Sequence, residues 1–127
     1  MISLKDVEEI HKLLIDRFGG SHGIRDLSSL QSALSRPFDT FEGKELYPTV
    51  IAKAAALFQS LLSNHPFVDG NKRTGYVVTR LFFMNNGFDI EASQEEKYEF
   101  VMQVASGRSD FDQIAEWLAR HLIGSGG

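Results

Sequence analysis

The segment HPFVDGNKRTG, residues 65 to 75, brings together side chains that phosphoryl chemistry uses. His65 stands at its start, and an imidazole, which titrates near neutral pH, is a natural general base for a hydroxyl group. Asp69 follows within the same segment, and Mg2+ in nucleotide sites is held by one or two carboxylates together with substrate phosphates. A base and a metal-binding carboxylate so close in sequence indicate phosphoryl or nucleotidyl transfer.

The second half of this segment predicts a phosphate site at the start of a helix. A helix N-terminus has backbone N–H groups without intrahelical partners and a partial positive charge, so it binds anions. Gly70 would let a ligand approach the backbone closely. Lys72 and Arg73 add positive charge, and arginine offers a planar fork for phosphate oxygens. One segment thus offers a base, a metal-binding carboxylate and a phosphate cradle.

Two helices must position this segment, and most of the chain is predicted to be helical. The stretch before His65, TVIAKAAALFQSLLSN, is apolar on most of its circumference, which is typical of the central helix of a domain. Pro48 is expected in its first turn, and a second helix is expected from Asn71 to Asn86, with Gly87 as its stop. Elsewhere, apolar residues recur at helical spacing behind capping side chains. These are Ser3 with Asp6, Asp26, Ser93 with Glu96, and Asp110 with Gln113.

The predicted fold class is therefore all-α, a compact bundle of about six helices. We expect a single domain over residues 1–123 and a flexible tail, residues 124–127. Residues 38–47, FDTFEGKELY, lack helical periodicity. They predict a short flap, either a loop or a hairpin that turns at Gly43.

Each residue of the segment also has a purely structural interpretation. His65 could cap the C-terminus of one helix, and Asp69 or Asn71 could cap the N-terminus of the next. Lys72 and Arg73 could form a solvated face. Those interpretations require several independent coincidences within one short segment, so the catalytic interpretation is favoured. No zinc site is predicted, because metal-ligand spacing is absent among the other histidines, His11, His22 and His121.

Composition excludes several function classes. The chain has no cysteine, so disulfides, thiolate metal sites and cysteine nucleophiles are ruled out. Its net charge is −4, with 13 basic residues scattered among 17 acidic ones, whereas nucleic-acid binders usually carry a clustered basic face. Direct binding of nucleic acid is therefore not expected. The sequence lacks an apolar run of the roughly 20 residues that a membrane span needs, and charges interrupt its N-terminus, so we expect a cytoplasmic protein without a membrane partner.

The motif segment resembles the signature of the Fic/Doc family. That signature is histidine, any residue, phenylalanine, any residue, an acidic residue, glycine or alanine, asparagine, any residue, arginine. The positions that match are His65, Phe67, Asp69, Gly70, Asn71 and Arg73. Residues 19–37, GGSHGIRDLSSLQSALSRP, are similar to the N-terminal region of Doc-type proteins, as is the apolar helix before the motif. The resemblance covers roughly residues 3–122 and implies the Fic/Doc fold.

The resemblance implies a role for each matching residue. His65 would be the catalytic general base that deprotonates the target hydroxyl, Phe67 would anchor the loop in the core, and Asp69 would bind Mg2+. The nucleotide phosphates are expected at Gly70, Asn71, Lys72 and Arg73. The flap is expected to align the target peptide by β-augmentation. Its residues are Phe41, Glu42, Gly43, Lys44, Glu45 and Leu46.

Two positions depart from the AMP-transferring members of the family. Lys72 stands where those members have a second glycine, and Tyr76 stands where they have a second arginine. Doc-type members are similar to this chain at the lysine. The resemblance to them implies that ATP binds in the reversed orientation and presents its γ-phosphate to the target hydroxyl. Arg80 lies one turn beyond Tyr76 and could replace the arginine that is absent at position 76. The favoured interpretation is that Arg80 forms a surface salt bridge instead. The departures therefore favour a kinase over an AMP transferase.

The favoured hypothesis is a Doc-like toxin of a toxin–antitoxin pair. With Mg2+, it would transfer the γ-phosphate of ATP to a Ser or Thr hydroxyl of a protein, for which a translation elongation factor is expected, and so arrest growth. The alternatives are a Fic-type AMP transferase and a non-catalytic binding module of the same fold, while a helix-turn-helix DNA binder is disfavoured by the acidic charge. The sequence lacks the internal inhibitory motif of many Fic proteins, Ser/Thr-x-x-x-Glu-Gly/Asn. The resemblance therefore implies a separate small antitoxin whose disordered tail folds on binding.

Overall fold

The structure, a computed structural model, describes residues 2–124 and consists mainly of α-helices. A 3₁₀ turn, Arg36–Phe38, follows the second helix, and four short strands form two ribbons. The predicted all-α class with about six helices is confirmed. The helices are α1 (Leu4–Phe18), α2 (Leu27–Ser35), α3 (Val50–Asn64), α4 (Asn71–Asn85), α5 (Gln94–Ala105) and α6 (Phe111–His121).

Local hydrogen bonds start these helices, mostly where the sequence predicts. Ser3, Ser93 and Asp110 form reciprocal capping boxes at the starts of α1, α5 and α6. The prediction that Pro48 lies in the first turn of α3 was wrong, because the helix begins two residues later, at Val50. Thr49 caps α3 through its side chain, which accepts the N–H of Ala52, so the proline lies before the cap and not in the first turn.

The predicted flap is a hairpin. Its strands β1 (Thr40–Phe41) and β2 (Lys44–Glu45) pair antiparallel. Glu42 and Gly43 form the turn with φ of 52° and 78°, and positive φ at both central residues is the requirement of a type I′ turn. Glycine adopts this conformation without steric cost, which is why the turn falls where Gly43 was predicted.

A second ribbon was not predicted. Strand β3 (Phe88–Ile90) follows α4 and pairs antiparallel with β4 (Leu122–Gly124), which follows α6. The pairing joins segments more than 30 residues apart, so no local pattern indicates it. Gly124, assigned to the flexible tail, lies opposite Phe88 in this ribbon. Residues 125–127 of the predicted tail lie outside the described residues.

The core is built around α3, as its uniform apolarity predicts. Eight of its residues are buried, and it contacts α2, α4, α5 and α6. The buried residues are Ala54, Ala55, Ala56, Leu57, Phe58, Ser60, Leu61 and Leu62. Within residues 2–124, every helix is too short or too polar to be a candidate for crossing a membrane.

Helices α3 and α4 pack closely at Gly75. A Cβ atom added there would collide with Cδ1 of Leu62 and would lie 3.6 Å from Cβ of Leu61. Leu62 is only 1% exposed, so its side chain has little free space into which it could move. The glycine therefore sets the distance between the two helices that flank the motif loop.

We expect Gly75→Ala to destabilise the protein by roughly 1–3 kcal/mol through overpacking. This is the opposite of the usual effect, since glycine to alanine in a helix interior normally stabilises by roughly 0.5–1 kcal/mol. Urea unfolding monitored by circular dichroism measures the difference. Met84→Ala at an exposed position of α4 is the control and should change stability by less than about 0.5 kcal/mol. Equal or greater stability of Gly75→Ala would contradict the close packing.

Candidate active site

The motif loop, residues 65–70, reverses the chain between α3 and α4. Both of its ends have left-handed backbone conformations, with φ of 46° at His65 and 75° at Gly70. His65 forms the C-cap of α3 and is exposed, and Gly70 is the N-cap of α4. The structural interpretation of His65 as a helix cap is therefore correct. It is compatible with a catalytic role, because His65 caps the helix through its backbone and its side chain is exposed.

Asn71 fastens the loop at its centre. Its Oδ1 accepts the N–H of Phe67 at 2.9 Å, and its Nδ2 donates to the carbonyl of the same residue at 3.0 Å. Phe67 is 2% exposed and belongs to the hydrophobic core. The amide of Asn71 thus satisfies both backbone groups of the residue whose ring enters the core. Asn71 acts within the loop and does not cap α4.

His11 of α1 supports the loop from inside the protein. Its ring stacks on the ring of Phe67 with centroids 3.9 Å apart and an interplanar angle of 6°. Its Nε2 lies 2.8 Å from the carbonyl oxygen of Asp69, and a carbonyl only accepts, so this nitrogen carries the proton. A Cβ added at Gly70 would lie 3.0 Å from Cδ1 of Ile15. Helix α1 therefore packs directly against the loop.

The segment between α1 and α2 holds the loop from the other side. Ile24 and Phe67 form an antiparallel bridge, and the N–H of Val68 donates to the carbonyl of Gly23. Arg25 adds two side-chain hydrogen bonds, from Nε to the carbonyl of His65 and from Nη2 to that of Asn64, each 2.7 Å long. The loop backbone is consequently paired along most of its length.

Asp69 is exposed, and both of its carboxylate oxygens are oriented by backbone donors. Oδ1 accepts the N–H of Gly70 at 2.8 Å, and Oδ2 accepts the N–H of Ser21 at 3.1 Å. A Cβ at Gly20 would lie only 2.8 Å from Oδ2, and the φ of Gly20 is 112°, so both the space beside the carboxylate and the backbone conformation favour glycine. Each oxygen keeps a further lone pair for a cation.

Helix α4 differs from the other α-helices of residues 2–124 at its N-terminus. Side chains cap the other five, whereas α4 begins at Gly70 without a side-chain cap. The first-turn N–H groups of an α-helix lack intrahelical partners, so an uncapped start is available to an anion. Lys72 and Arg73 are exposed beside it. The guanidinium of Arg73 lies 4.2 Å from the ring centroid of Phe18, a cation–π contact that orients it.

A groove of about 400 Å³ continues from these cations between α4 and α5. Lys72, Arg73 and Lys97 supply positive charge, while Val101 and Met102 supply apolar surface. This volume lies in the range of small-ligand sites. A larger cleft, about 910 Å³, lies between α5 and α6 and contains no residue of the motif. The smaller groove is therefore the one connected to the motif.

Tyr76 lines the groove one turn after Arg73. Its hydroxyl is buried without a hydrogen-bond partner among the described residues. Burial raises the pKa of Tyr76 to about 12, because the phenolate is poorly solvated there. Arg80 does not reach the motif, since its guanidinium forms a bidentate pair with Asp89 of β3, with N–O distances of 2.7 and 3.0 Å. The predicted salt-bridge role of Arg80 is confirmed.

The flap is anchored at the other end of α3 from His65. Lys53, in the first turn of α3, donates to the carboxylate of Glu45 at 2.8 Å and to the carbonyl of Tyr47. A rise of 1.5 Å per residue places Lys53 roughly 18 Å from His65 along the helix axis. The structure thus brings the motif residues together and attaches the base of the flap near the N-terminus of α3, and the target-binding role of residues 41–46 stays a prediction.

Sequence analysis missed the residues that support the loop from outside the motif. His11 and Arg25 contact it across 58 and 40 residues of sequence. One signal was present for His11, since Val7, His11 and Ile15 recur at helical spacing and lie on the buried face of α1. For Arg25, the sequence carries no comparable local signal.

Comparison with known proteins identifies the family of the chain. The Fic/DOC family model matches residues 1–83. Toxin Doc of Mycolicibacterium smegmatis is 42% identical over 104 residues, which cover 80% of each chain. The chain belongs to the Fic/DOC family.

More distant Fic/DOC relatives are much longer than this chain. Protein adenylyltransferase Fic of Drosophila melanogaster is 26% identical over 125 residues, which cover 83% of this chain and 25% of the relative. The Drosophila simulans protein matches equally well. The chain therefore spans about a quarter of these adenylyltransferases. The family match ends at residue 83, so it includes α1 to α3, the motif loop and most of α4, whereas α5 and α6 lie beyond it.

Replacing Asn71 by alanine should destabilise the protein by roughly 1–3 kcal/mol, because the buried N–H and carbonyl of Phe67 lose their partners. Urea unfolding gives the free-energy difference. Asn85→Ala at the exposed end of α4 serves as the control for removing an amide from this helix. If Asn71→Ala lowers the free energy of unfolding no more than the control does, Asn71 does not stabilise the loop as described.

The phenol of Tyr76 should ionise well above pH 10, because burial raises its pKa. Its folded-state pKa of about 12 lies above the ordinary value of 10.0, so its stabilising contribution is complete below pH 10 and is lost between pH 10 and about pH 12. Phenolate absorbance after a rapid pH jump, before unfolding, measures the titration. Tyr76→Phe should remove a component that titrates near pH 12. Removal of a component near pH 10 would instead show that Tyr76 is solvated.

Proposed function

We propose that this Fic/DOC protein transfers a group from ATP to a hydroxyl of another protein, and that the transferred group is the γ-phosphate. The observation that carries the proposal is the arrangement of the motif loop. An exposed histidine with a fixed backbone stands at one end, and an uncapped helix N-terminus flanked by Lys72 and Arg73 stands at the other. A base beside an anion site is the minimum that such a transfer needs.

In the proposed reaction, His65 accepts the proton of the target Ser or Thr hydroxyl. The hydroxyl oxygen attacks the γ-phosphorus and forms a new P–O bond, while the bond between the γ-phosphorus and the β,γ-bridging oxygen breaks. ADP leaves with the negative charge on its β-phosphate. The N-terminal N–H groups of α4, together with Lys72 and Arg73, bind the phosphate oxygens and stabilise the charge that develops on them.

Asp69 is the residue that would hold Mg2+ in this reaction. Its carboxylate is exposed and already oriented by two N–H donors, and a single carboxylate combined with substrate phosphates is a usual magnesium environment. Bound Mg2+ would neutralise phosphate charge. Without such a cation, the carboxylate and the phosphates would repel each other across the loop.

The groove between α4 and α5 is the place that we assign to the rest of the nucleotide. Lys97 adds a third cation to those of the motif, and Val101 and Met102 supply an apolar wall for a base or sugar face. Tyr76 occupies the position of the second arginine of AMP-transferring members, and Arg80 is already paired with Asp89. The groove therefore has one arginine, Arg73, near the phosphates. This supports the Doc-type orientation of ATP.

Transfer of AMP is the second candidate, because the Drosophila relatives are named protein adenylyltransferases. In that reaction the hydroxyl oxygen would attack the α-phosphorus, and pyrophosphate would leave. Toxin Doc is considerably more similar to this chain. The comparison therefore favours the Doc-type reaction.

The relationship to Toxin Doc also supports a role as the toxin of a toxin–antitoxin pair. The proposed target is a translation elongation factor, whose modification would arrest growth. The flap would bind the target as an added strand, because a two-stranded hairpin leaves backbone groups on its outer edges free. A small antitoxin whose disordered tail folds onto the toxin would control the activity.

Radiolabelled ATP tests the proposal directly. Cell-lysate proteins are incubated with the enzyme, Mg2+ and ATP labelled at either the α- or the γ-phosphate, and the labelled proteins are identified by mass spectrometry. We expect label from γ-labelled ATP only. His65→Ala should reduce the rate by roughly 10²- to 10⁴-fold, as expected when a general base is removed.

His22→Ala is the matched control, because His22 is an exposed histidine paired with Asp16 and lies outside the motif. It should retain the activity of the unmodified protein. Label from α-labelled ATP would instead establish AMP transfer. If folded protein transfers neither label, the catalytic proposal is wrong and the non-catalytic binding module becomes the better account.

A further inference from the structure

The backbone conformation of His65 is unusual for its place in the sequence. A residue that precedes a proline is pushed toward extended conformations, yet His65, followed by Pro66, has φ 46° and ψ 56°. For a residue other than glycine this left-handed region is strained. Such strain persists only where surrounding contacts enforce it, so something outside the loop must hold this residue.

Arg25 makes the contacts that enforce this conformation. Its Nε donates to the carbonyl of His65 and its Nη2 to the carbonyl of Asn64, both at 2.7 Å. These are two of the C-terminal carbonyls that a helix leaves without partners, and hydrogen bonds from a guanidinium are stronger than neutral ones. Both hydrogen bonds are made while His65 is left-handed, and the direction of its carbonyl follows from its own backbone dihedral angles. An extended His65 would rotate its carbonyl away from the fork.

The main chain of Arg25 is fixed independently of its side chain. Its N–H donates to the carbonyl of Pro66 at 2.8 Å, and the N–H of Asp26 donates to the same oxygen at 3.1 Å. The neighbouring Ile24 pairs with Phe67. The guanidinium is therefore presented from a well-anchored backbone, and its removal would leave those backbone contacts in place. The residue is exposed, so its replacement creates no cavity in the core.

We infer that Arg25 is a positioning residue for the reaction: its guanidinium holds the backbone of His65 in the left-handed conformation and so aims the imidazole. It acts through His65 and does not bind the nucleotide. The inference rests on the proposed function for its catalytic consequence. The structural part of the inference, that Arg25 controls the backbone conformation of His65, does not depend on whether the protein has the proposed activity.

Kinetics with labelled ATP test the catalytic consequence in Arg25→Met and Arg25→Lys. We expect Arg25→Met to lower kcat by roughly 10- to 100-fold, as for a misplaced catalytic group, and to leave KM for ATP unchanged. Guanidinium chloride at concentrations far below those that denature should restore part of kcat, and sodium chloride should not. The kcat of Arg25→Lys should lie between those of the unmodified protein and Arg25→Met, because an ammonium group keeps the charge but lacks the planar fork.

Arg108→Met is the matched control for the loss of one exposed arginine, because Arg108 lies after α5 and outside the motif. Its kcat should equal that of the unmodified protein. An unchanged kcat in Arg25→Met, or a raised KM with kcat intact, would overturn the positioning role. Equal stimulation of all variants by guanidinium would also overturn it.

Nuclear magnetic resonance separates this inference from the proposed function. The HN–Hα coupling of His65 reports its φ angle, and it should change in Arg25→Met while the couplings of α6 do not. That result supports the inference even if no transfer activity is found in any variant. An unchanged coupling at His65 would overturn the inference whether or not the protein is a kinase.

Discussion

Six residues must reverse the chain between two helices that touch, and the site depends on how they do so. Helices α3 and α4 meet at Gly75, where an added methyl group would collide with the side chain of Leu62. The connection between them can therefore be neither wide nor extended. Left-handed residues at both ends, His65 and Gly70, provide the turn. Glycine accepts that conformation freely, but at His65 it costs roughly 1–2 kcal/mol.

The contacts around the loop offset that cost and explain why so much of the N-terminal third of the chain surrounds it. Asn71 binds both backbone groups of Phe67, His11 binds the carbonyl of Asp69, and Arg25 binds the carbonyl of His65. A buried polar group without a partner would cost roughly 1–3 kcal/mol, so these hydrogen bonds stabilise the loop mainly by preventing that loss. The aromatic stack of His11 on Phe67 completes the support from the core side.

These contacts leave a fixed backbone with free side-chain ends. His65 uses its carbonyl for structure and exposes its side chain, and Asp69 likewise binds His11 through its carbonyl and presents its carboxylate outward. A site that must meet two substrates, a nucleotide and a protein, benefits from such a division. Catalytic groups held by a rigid backbone are already oriented when the substrates arrive, so less orientation entropy is lost in the transition state.

The sequence predicted the features that depend on interactions between residues close in the chain. It did not predict the contacts between residues that are far apart in the chain. The capping boxes at Ser3, Ser93 and Asp110 join residues three apart, so the helix starts were readable, as was the turn at Gly43. The motif residues were found because they lie within nine consecutive positions. The β3–β4 ribbon and the supports from His11 and Arg25 depend on how helices pack across 30 or more residues. Periodicity and capping carry no information about such pairs.

The groove between α4 and α5 joins two parts of the chain that the family model treats differently. The Fic/DOC match ends at residue 83, after the loop and most of α4, so His65 and the uncapped start of α4 lie within the matched part. The opposite wall of the groove, with Lys97, Val101 and Met102, comes from α5 and lies beyond the match. The matches to Toxin Doc and to the Drosophila adenylyltransferase extend further, since each covers at least 80% of the chain and therefore includes most of α5, with Lys97. Both walls of the groove thus lie in the part of the chain that aligns with these relatives, and α5 is as much a part of the proposed nucleotide site as the helix that follows the motif loop.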